Sequence, residues 1–235
     1  MSVVTPPLRE LERSAAVGPQ LYRLVRERIV RGELPPGSRL SETEIAAAYD
    51  VSRQPVREAF IKLAEENLLA IRPQRGTFVT RISVPSVLTA RFVREAAEAD
   101  IVRLVAETAD DSAIAALDAE LVKQRAVTTA AEPDLFIQLD EAFHRMLAEM
   151  AGQRLAWDYL EGLKTQMNRV RHISARKLAF DKLIAQHAAV VEGIRTRDAA
   201  RAEAAMRDHL REINRDLPEI VAAMPDFFEE AGGAR

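Results

Sequence analysis

Cysteine is absent from all 235 residues. That excludes a disulfide scaffold, thiol catalysis and any cysteine-ligated zinc or iron–sulfur site. Aromatic residues make up 5% of the chain, glycine occurs 9 times and proline 11 times. Such low counts disfavour an all-β fold, which needs turn residues and large rings, and favour helices. No long apolar run occurs, so nothing reads as a membrane span. Pro6, Pro7, Glu10 and Glu12 stand where a secretory signal would need an apolar stretch. The chain is therefore expected in the cytoplasm. Positive charge is not in excess either: the formal net charge is −3. Taken alone, that argues against nucleic acid, but a whole-chain sum averages over domains.

What is present is 48% apolar and 29% charged, a globular composition with room for one large domain or two small ones. Residues 1–80 carry a balance of +2 and the remainder −5, so the first part is the basic one. Residues 1–17 lack apolar periodicity and read as a mobile arm. Residues 18–82 read as one domain and 83–86 as a linker, with Pro85 set for the start of a helix. Residues 87–224 read as a helical domain and 225–235 as a tail.

In the first domain Leu21, Leu24, Val25 and Ile29 form a helical stripe that stops at Gly32. Pro35-Pro36-Gly37 is a turn. Ser41-Glu42-Thr43-Glu44 is a capping box, and a short helix follows it through Ile45 to Ala48. Tyr49-Asp50 breaks that helix. Ser52 caps the next, with Pro55 in its first turn and Val56, Phe60 and Leu63 on its buried side. Asn67 supplies a left-handed stop. Residues 68–72 and 77–81 alternate around 73–76, which predicts a short two-stranded wing.

Two short helices joined by a tight turn form a helix-turn-helix. Its recognition helix presents N-terminal residues to base edges, here Arg53, Gln54 and Arg57. Arginine bridges guanine O6 and N7, and glutamine pairs with adenine. Ser52 and the helix N-terminus can hold a phosphate. Arg39, Arg72 and Arg75 can neutralise others. The same residues also fit a small helical domain with a solvated arginine face.

Helical spacing predicts helices over 86–108, 111–129, 133–151, 153–175, 179–197 and 199–222, packed as a bundle. Four histidines occur: His144, His172, His187 and His209. Asp140 and His144 share one helix face at i and i+4, beside apolar Leu139, Phe143 and Leu147. His187 and His209 lie on two further apolar faces. Burying three histidines and a carboxylate is costly unless something satisfies them. A divalent metal does, and this donor set suits zinc, nickel, manganese or iron(II). Three separately satisfied core histidines remain the other reading, because spacing alone does not bring the helices together.

The stretch 21–82 resembles the winged helix-turn-helix of the GntR superfamily of bacterial transcription regulators. The matching motifs are Leu34-Pro35-Pro36-Gly37-Ser38-Arg39-Leu40-Ser41-Glu42, Val51-Ser52-Arg53-Gln54-Pro55-Val56-Arg57-Glu58-Ala59 and Arg75-Gly76-Thr77-Phe78-Val79. The resemblance implies that Arg39, Arg53 and Arg57 contact DNA and that Gly76 approaches the minor groove. Asp50 and Asn67 stand where that family often has glycine. Both tolerate left-handed geometry.

Residues 86–222 resemble the FCD ligand-binding domain of FadR-type members. The matching segments are Asp140-Glu141-Ala142-Phe143-His144, Ala151-Gly152-Gln153-Arg154-Leu155, the helix with His187, and Met206-Arg207-Asp208-His209-Leu210. The resemblance implies Asp140, His144, His187 and His209 as metal ligands and leaves His172 out. Zinc is the first expectation for the metal. Water or a small carboxylate effector would complete the ion. Arg94 and Glu98 match an Arg-x-x-x-Glu feature of the group. Arg94 either pairs the effector or makes an i,i+4 ion pair with Glu98, and Asn168, Arg169 and Arg171 are further candidates to face the pocket.

The expected protein is mainly α, with an N-terminal winged helix-turn-helix and a C-terminal all-α bundle. It is expected to be a homodimeric repressor that reads a pseudo-palindromic operator in double-stranded DNA. A small anionic metabolite is expected to modulate it. Two alternatives are a purely structural metal without effector and a metal-dependent hydrolase. Glu141 is a poor general base for the latter, since helix geometry turns it about 100° from Asp140.

Overall fold

A computed structural model of the chain describes residues 11–12, 14–127, 132–175 and 179–230. It divides into two compact units. The first runs to Ser83 and takes back the segment that begins at Met224, and the second spans Val84–Ala223. Among the described residues no helix is long and apolar enough to cross a membrane. The expected mobile arm, 1–17, lies mostly outside the described residues.

In the first unit, α1 covers Val17–Val30 and stops before Gly32, whose φ of 76° is left-handed. Gln20 holds the chain just before it. The Glu12 amide donates to Gln20 Oε1 at 2.8 Å, and Gln20 Nε2 donates back to the Glu12 carbonyl at 3.0 Å. Helix α2 is Glu42–Ala48, and the Ser41 hydroxyl accepts from the Glu44 amide at 3.4 Å, as a capping box requires. Helix α3 is Arg53–Glu65. Ser52 has extended cap geometry, but its hydroxyl makes no capping bond. That hydroxyl is exposed at the helix start.

Asp50 and Asn67 take φ values of 51° and 56°, so the chain turns there without glycine. The wing has three strands rather than two. Strand β1, Arg39–Leu40, joins β2, Leu69–Arg72, and β3, Gly76–Val79, in the antiparallel order β1-β3-β2. Two residues are too few to leave a periodic trace in sequence. Leu21, Val25, Val56, Phe60 and Leu63 form the core between helices, and Leu69 and Val79 close it from the sheet.

The second unit is helical throughout: α4 Val84–Thr108, α5 Asp111–Val127, α6 Pro133–Met150, α7 Arg154–Leu163, α8 Thr165–Ser174, α9 Phe180–Arg195, α10 Ala199–Leu210 and α11 Glu212–Ala223. Three boundaries differ from expectation. The linker expected at 83–86 is largely the first turn of α4, because Pro85 is at home there. The helix expected over 153–175 breaks at Lys164, whose side chain is buried under the Trp157 ring, with Nζ 3.8 Å from its centre. The helix expected over 199–222 breaks at Arg211. A single-residue break leaves the apolar period running across it, so the pattern hides both. The sequence breaks at Asp110 and Asp198 do start helices. Asp110 Oδ1 accepts from the Ala113 amide at 2.9 Å, and Asp198 Oδ1 accepts from the Arg201 amide at 3.0 Å.

The bundle core joins Val102 and Val105 of α4, Phe143 and Leu147 of α6, and Val190 and Ile194 of α9. Helix α9 crosses α10 at Gly193. A Cβ there would meet the Ala202 backbone nitrogen at 2.6 Å and its Cα at 2.7 Å. Backbone cannot swing aside as a side chain can. Gly193→Ala should therefore lower stability by about 3 kcal/mol, at the upper end for overpacking. Urea denaturation reads this, and a loss under about 0.5 kcal/mol, the size of a neutral surface change, would show that the helices part freely.

Candidate functional site

The N-terminal turn of α3 stands out from the first unit. Val56, Ala59, Phe60 and Leu63 anchor its inner side, which leaves Ser52, Arg53, Gln54 and Arg57 exposed on the outer one. Arg53 is tied to α2 through Glu42 Oε2 at 2.9 Å. Gln54 Nε2 donates to Glu58 Oε1 at 3.0 Å. Arg57 has no ion-pair partner among the described residues. At the wing, β1 sets Arg39 opposite Phe78 and beside Gly76. The Arg39 guanidinium lies across Gly76, with Nε 2.9 Å from where a Cβ would stand. Glycine at φ 106° is needed there for both reasons. Arg75 is exposed at the tip, and the Arg72 guanidinium rests 5.2 Å over the Phe78 ring. The two short ion and amide pairs leave the face predominantly cationic.

In the second unit Asp140 and His144 on α6, His187 on α9 and His209 on α10 come together. One ligand atom from each lies within 4.8 Å of the others. All four are buried. His209 Nε2 is 3.2 Å from both His144 Nε2 and His187 Nε2. Asp140 oxygens lie 3.8 Å from His144 Nε2 and 3.6 Å from His187 Nε2. The outer nitrogens are engaged elsewhere. His187 Nδ1 meets Gln124 Oε1 at 2.8 Å, and His209 Nδ1 meets Gln186 Oε1 at 3.2 Å. An amide oxygen only accepts, so it fixes the proton on Nδ1. Two inner Nε2 atoms are then bare lone pairs pointing at one another. His144 Nδ1 lies 2.6 Å from Glu98 Oε2, but out of line for a hydrogen bond.

Burial keeps the His187 and His209 imidazoles neutral. It lowers His187 to about 3 and pushes His209 well below its ordinary value. Burial alone would raise Asp140, but Arg171, 2.5 Å away, holds it well below the carboxylate range. The same contest at Glu98 is won by Arg94. Imidazole nitrogens and one carboxylate that converge in this way are a donor set for a divalent cation. The residues present fit such an ion.

A pocket enclosing about 490 Å³, open mouth included, adjoins this cluster. Asp140, His209, Arg94 and Arg171 line it on one side and Glu212, Ile213 and Asp216 of α11 on another. Arg94 is buried and pairs with Glu98, Nε to Oε1 at 2.5 Å and Nη2 to Oε2 at 3.3 Å. Arg171 bridges Asp140 and Glu141, the latter at 2.7 Å.

Residues 18–79 match the family described as bacterial regulatory proteins, gntR family, and residues 90–212 match the FCD domain. The HTH-type transcriptional repressor RspR of Escherichia coli K12 is 39% identical over 222 residues, covering 94% of this chain and 97% of that one. The chain belongs to the GntR family. This GntR regulator binds DNA and carries an FCD domain. The transcriptional repressor NanR of Salmonella arizonae is 30% identical over 88% of this chain and 85% of its own length. The fold is that of E. coli McbR/YncC, with a TM-score of 0.71 over 89% of this chain and 99% of that one at 17% identity.

The regulator's site differs from the sequence reading mainly in its surroundings. The four residues singled out on α6, α9 and α10 do meet, whereas His172 instead meets Asp134 at 3.0 Å. Gln124 and Gln186 were not foreseen, whereas Arg171 was a candidate for the pocket and lines it. Gln124 carried a signal: it is a polar residue on the stripe of Leu117, Leu121 and Gln124, and it is fully buried. Arg169 and Asn168, neighbours of Arg171 in sequence, do not line the pocket.

Proposed function

We propose that this GntR regulator is a homodimeric repressor of a pseudo-palindromic operator. Arg53, Gln54 and Arg57 read bases, with Ser52, Arg39, Arg75 and Gly76 on the phosphates and in the groove. A divalent ion, zinc first and nickel, manganese or iron(II) after it, is held by Asp140, His144, His187 and His209. A small carboxylate metabolite in the adjoining pocket modulates operator binding. The observation that carries this reading is the set of facing Nε2 atoms 3.2 Å apart, beside an open pocket. Relatives named as repressors support the sign of control.

Charge explains why ion and anion belong together. Arg94 and Arg171 line the pocket against Asp140, Glu212 and Asp216, while burial keeps His209 neutral. Each lining guanidinium is already paired with a carboxylate and Glu212 is paired with Lys182 and Arg215, so among the described residues the lining by itself offers an anion no free cation. A bound divalent cation supplies the positive excess and open coordination positions. The side chains then divide the work. Arg171 offers a planar fork to a carboxylate once it lets go of Asp140. Arg94 keeps Glu98 in place against His144. The effector contact expected of Arg94 thus passes largely to Arg171.

Elemental analysis joined to a thermal-shift screen of dicarboxylates, with and without chelator, tests this. Metal at one ion per chain and acid-induced shifts that vanish with chelator are expected. If chelation lowers the melting temperature while acids change nothing, the ion is structural. His187→Ala is expected to lose the metal while folding as a helical protein by circular dichroism. Full metal occupancy in that variant would refute the ligand set.

A further inference from the structure

Segment Met224–Glu230 follows α11 and belongs to the first unit, not the second. Its 3-10 turn, Pro225–Phe227, leads into a parallel bridge between Phe228 and Ile82. The Ile82 amide donates to the Phe227 carbonyl at 2.8 Å, and the Glu229 amide donates to the Ile82 carbonyl at 3.0 Å. Both side chains at the bridge are buried, Ile82 at 0% exposure and Phe228 at 2%. Ile82 lies two residues before α4 and three after the last wing strand. The chain leaves the first unit just after Ile82 and returns to it at Met224, so the two crossings are fastened to each other.

The other end of α11 reaches the proposed metal centre. His209 Nδ1 meets Gln186 Oε1 at 3.2 Å, and Gln186 Nε2 donates to Glu212 Oε2 at 2.9 Å. Glu212 is the first residue of α11 and is buried, and Ile213 and Asp216 of the same helix line the pocket. Glu212 and Ala223 are the two ends of α11, which stays helical through Pro218, so a shift imposed on Glu212 can pass along it to the segment after Ala223.

We propose that Met224–Glu230 is a coupling strap that reports the state of the metal and effector pocket to the DNA-reading unit. The proposal rests on the reading of the four-residue cluster as a metal centre. The strap has the properties of a two-state element. Two backbone hydrogen bonds, one buried ring and a long, exposed ion pair between Arg81 and Glu230 at 3.9 Å hold it, a small set that opens locally without unfolding the bundle. His209, Gln186 and Glu212 are linked in series, so an ion held by His209 would alter the contacts at the start of α11 and so bias the strap between paired and released.

Two full-length variants test this, with Zn²⁺ as the probe. Glu229→Pro removes the amide that bonds Ile82 while leaving the buried ring in place, and extended Phe228 suits a following proline. Phe228→Ala removes the ring. Calorimetry reads Zn²⁺ binding, fluorescence anisotropy reads operator affinity with and without Zn²⁺, and hydrogen exchange reads the Ile82 and Glu229 amides. In the parent, Zn²⁺ should change operator affinity by about fivefold or more and change exchange at both amides. Both variants should bind Zn²⁺ as the parent does, bind operator without Zn²⁺ as the parent does, and shrink the Zn²⁺ effect to under about twofold. Variants that keep the full Zn²⁺ effect, or parent amides that ignore Zn²⁺, overturn the strap and leave the metal centre standing. A parent with no Zn²⁺ binding heat overturns the metal reading, and the strap with it. Loss of operator binding by both variants without Zn²⁺ overturns coupling in favour of a purely structural clasp.

Discussion

Replacing Arg53 and Arg57 together by alanine is expected to abolish specific operator binding while leaving the melting temperature unchanged. Both side chains are exposed on α3, and the core beneath them is Val56, Phe60 and Leu63. Neither substitution opens a cavity, and alanine is a strong helix former. Each bidentate contact between arginine and guanine is worth about 1–3 kcal/mol, so losing two costs roughly two to four decades of affinity. The two arginines should not contribute equally. Arg53 must leave Glu42 to reach a base, whereas Arg57 leaves no partner among the described residues. Arg57→Ala should therefore be the more damaging single change. Glu42→Gln, which frees Arg53, should strengthen binding by a few fold, within the range for a surface ion pair. Electrophoretic mobility shift or anisotropy against operator and scrambled DNA checks this. A double variant that still prefers operator would remove α3 as the reading element. Arg39→Ala should instead weaken operator and scrambled DNA alike and reduce the salt slope by about one unit.

The wing shows why some of the DNA face was legible and some was not. Capping chemistry is local, so Ser41-Glu42-Thr43-Glu44 predicted the start of α2 and the structure has that bond. Left-handed turns at Asp50 and Asn67 were equally local. Strand β1 was not, since Arg39 and Leu40 become a strand only by pairing with residues 37 or more positions away. That pairing is also what lays Arg39 across Gly76. Glycine at the wing tip thus serves its own φ and the arginine of another strand.

The helical unit shows the same divide. Period fixed which faces of α6, α9 and α10 turn inward, and buried polar residues on those faces announced an unusual interior. Convergence is a property of packing. It depends on Gly193 letting α9 approach α10, and on Phe143 stacking on the His187 ring with centres 4.3 Å apart. The ion-pair shell was hidden for a different reason. Arg171 was one of several arginines near the right place, and only the packing of α8 in the bundle sends Arg171 to Asp140 and Arg169 to Gln166.

The acid limb of the stability curve should carry the signature of this interior. His187 titrates near 3 in the folded chain and His209 well below its ordinary value, both because burial disfavours the imidazolium. Unfolded histidines titrate near 6.5. Between these limits the unfolded chain binds protons that the folded chain refuses, so stability rises with pH across that window. The contribution is complete above about pH 7 and is lost as pH falls from about 6.5 toward 3. Asp140 and Glu98, held low in the fold by Arg171 and Arg94 against the pull of burial, add a second loss below about pH 4. Metal-free protein should thus lose several kcal/mol between pH 7 and pH 4, read as a falling urea midpoint. His187→Gln keeps a polar side chain but cannot take up that proton, so it should make the first limb shallower, leaving the His209 share of it and the second limb. Excess zinc, at about a thousand times its dissociation constant, should add about 4 kcal/mol at pH 7. That gain should fade on acidification, because protons compete for the same nitrogens. A urea midpoint that is flat from pH 7 to pH 5 would mean that these histidines are not held neutral, and would remove the electrostatic basis for the metal centre.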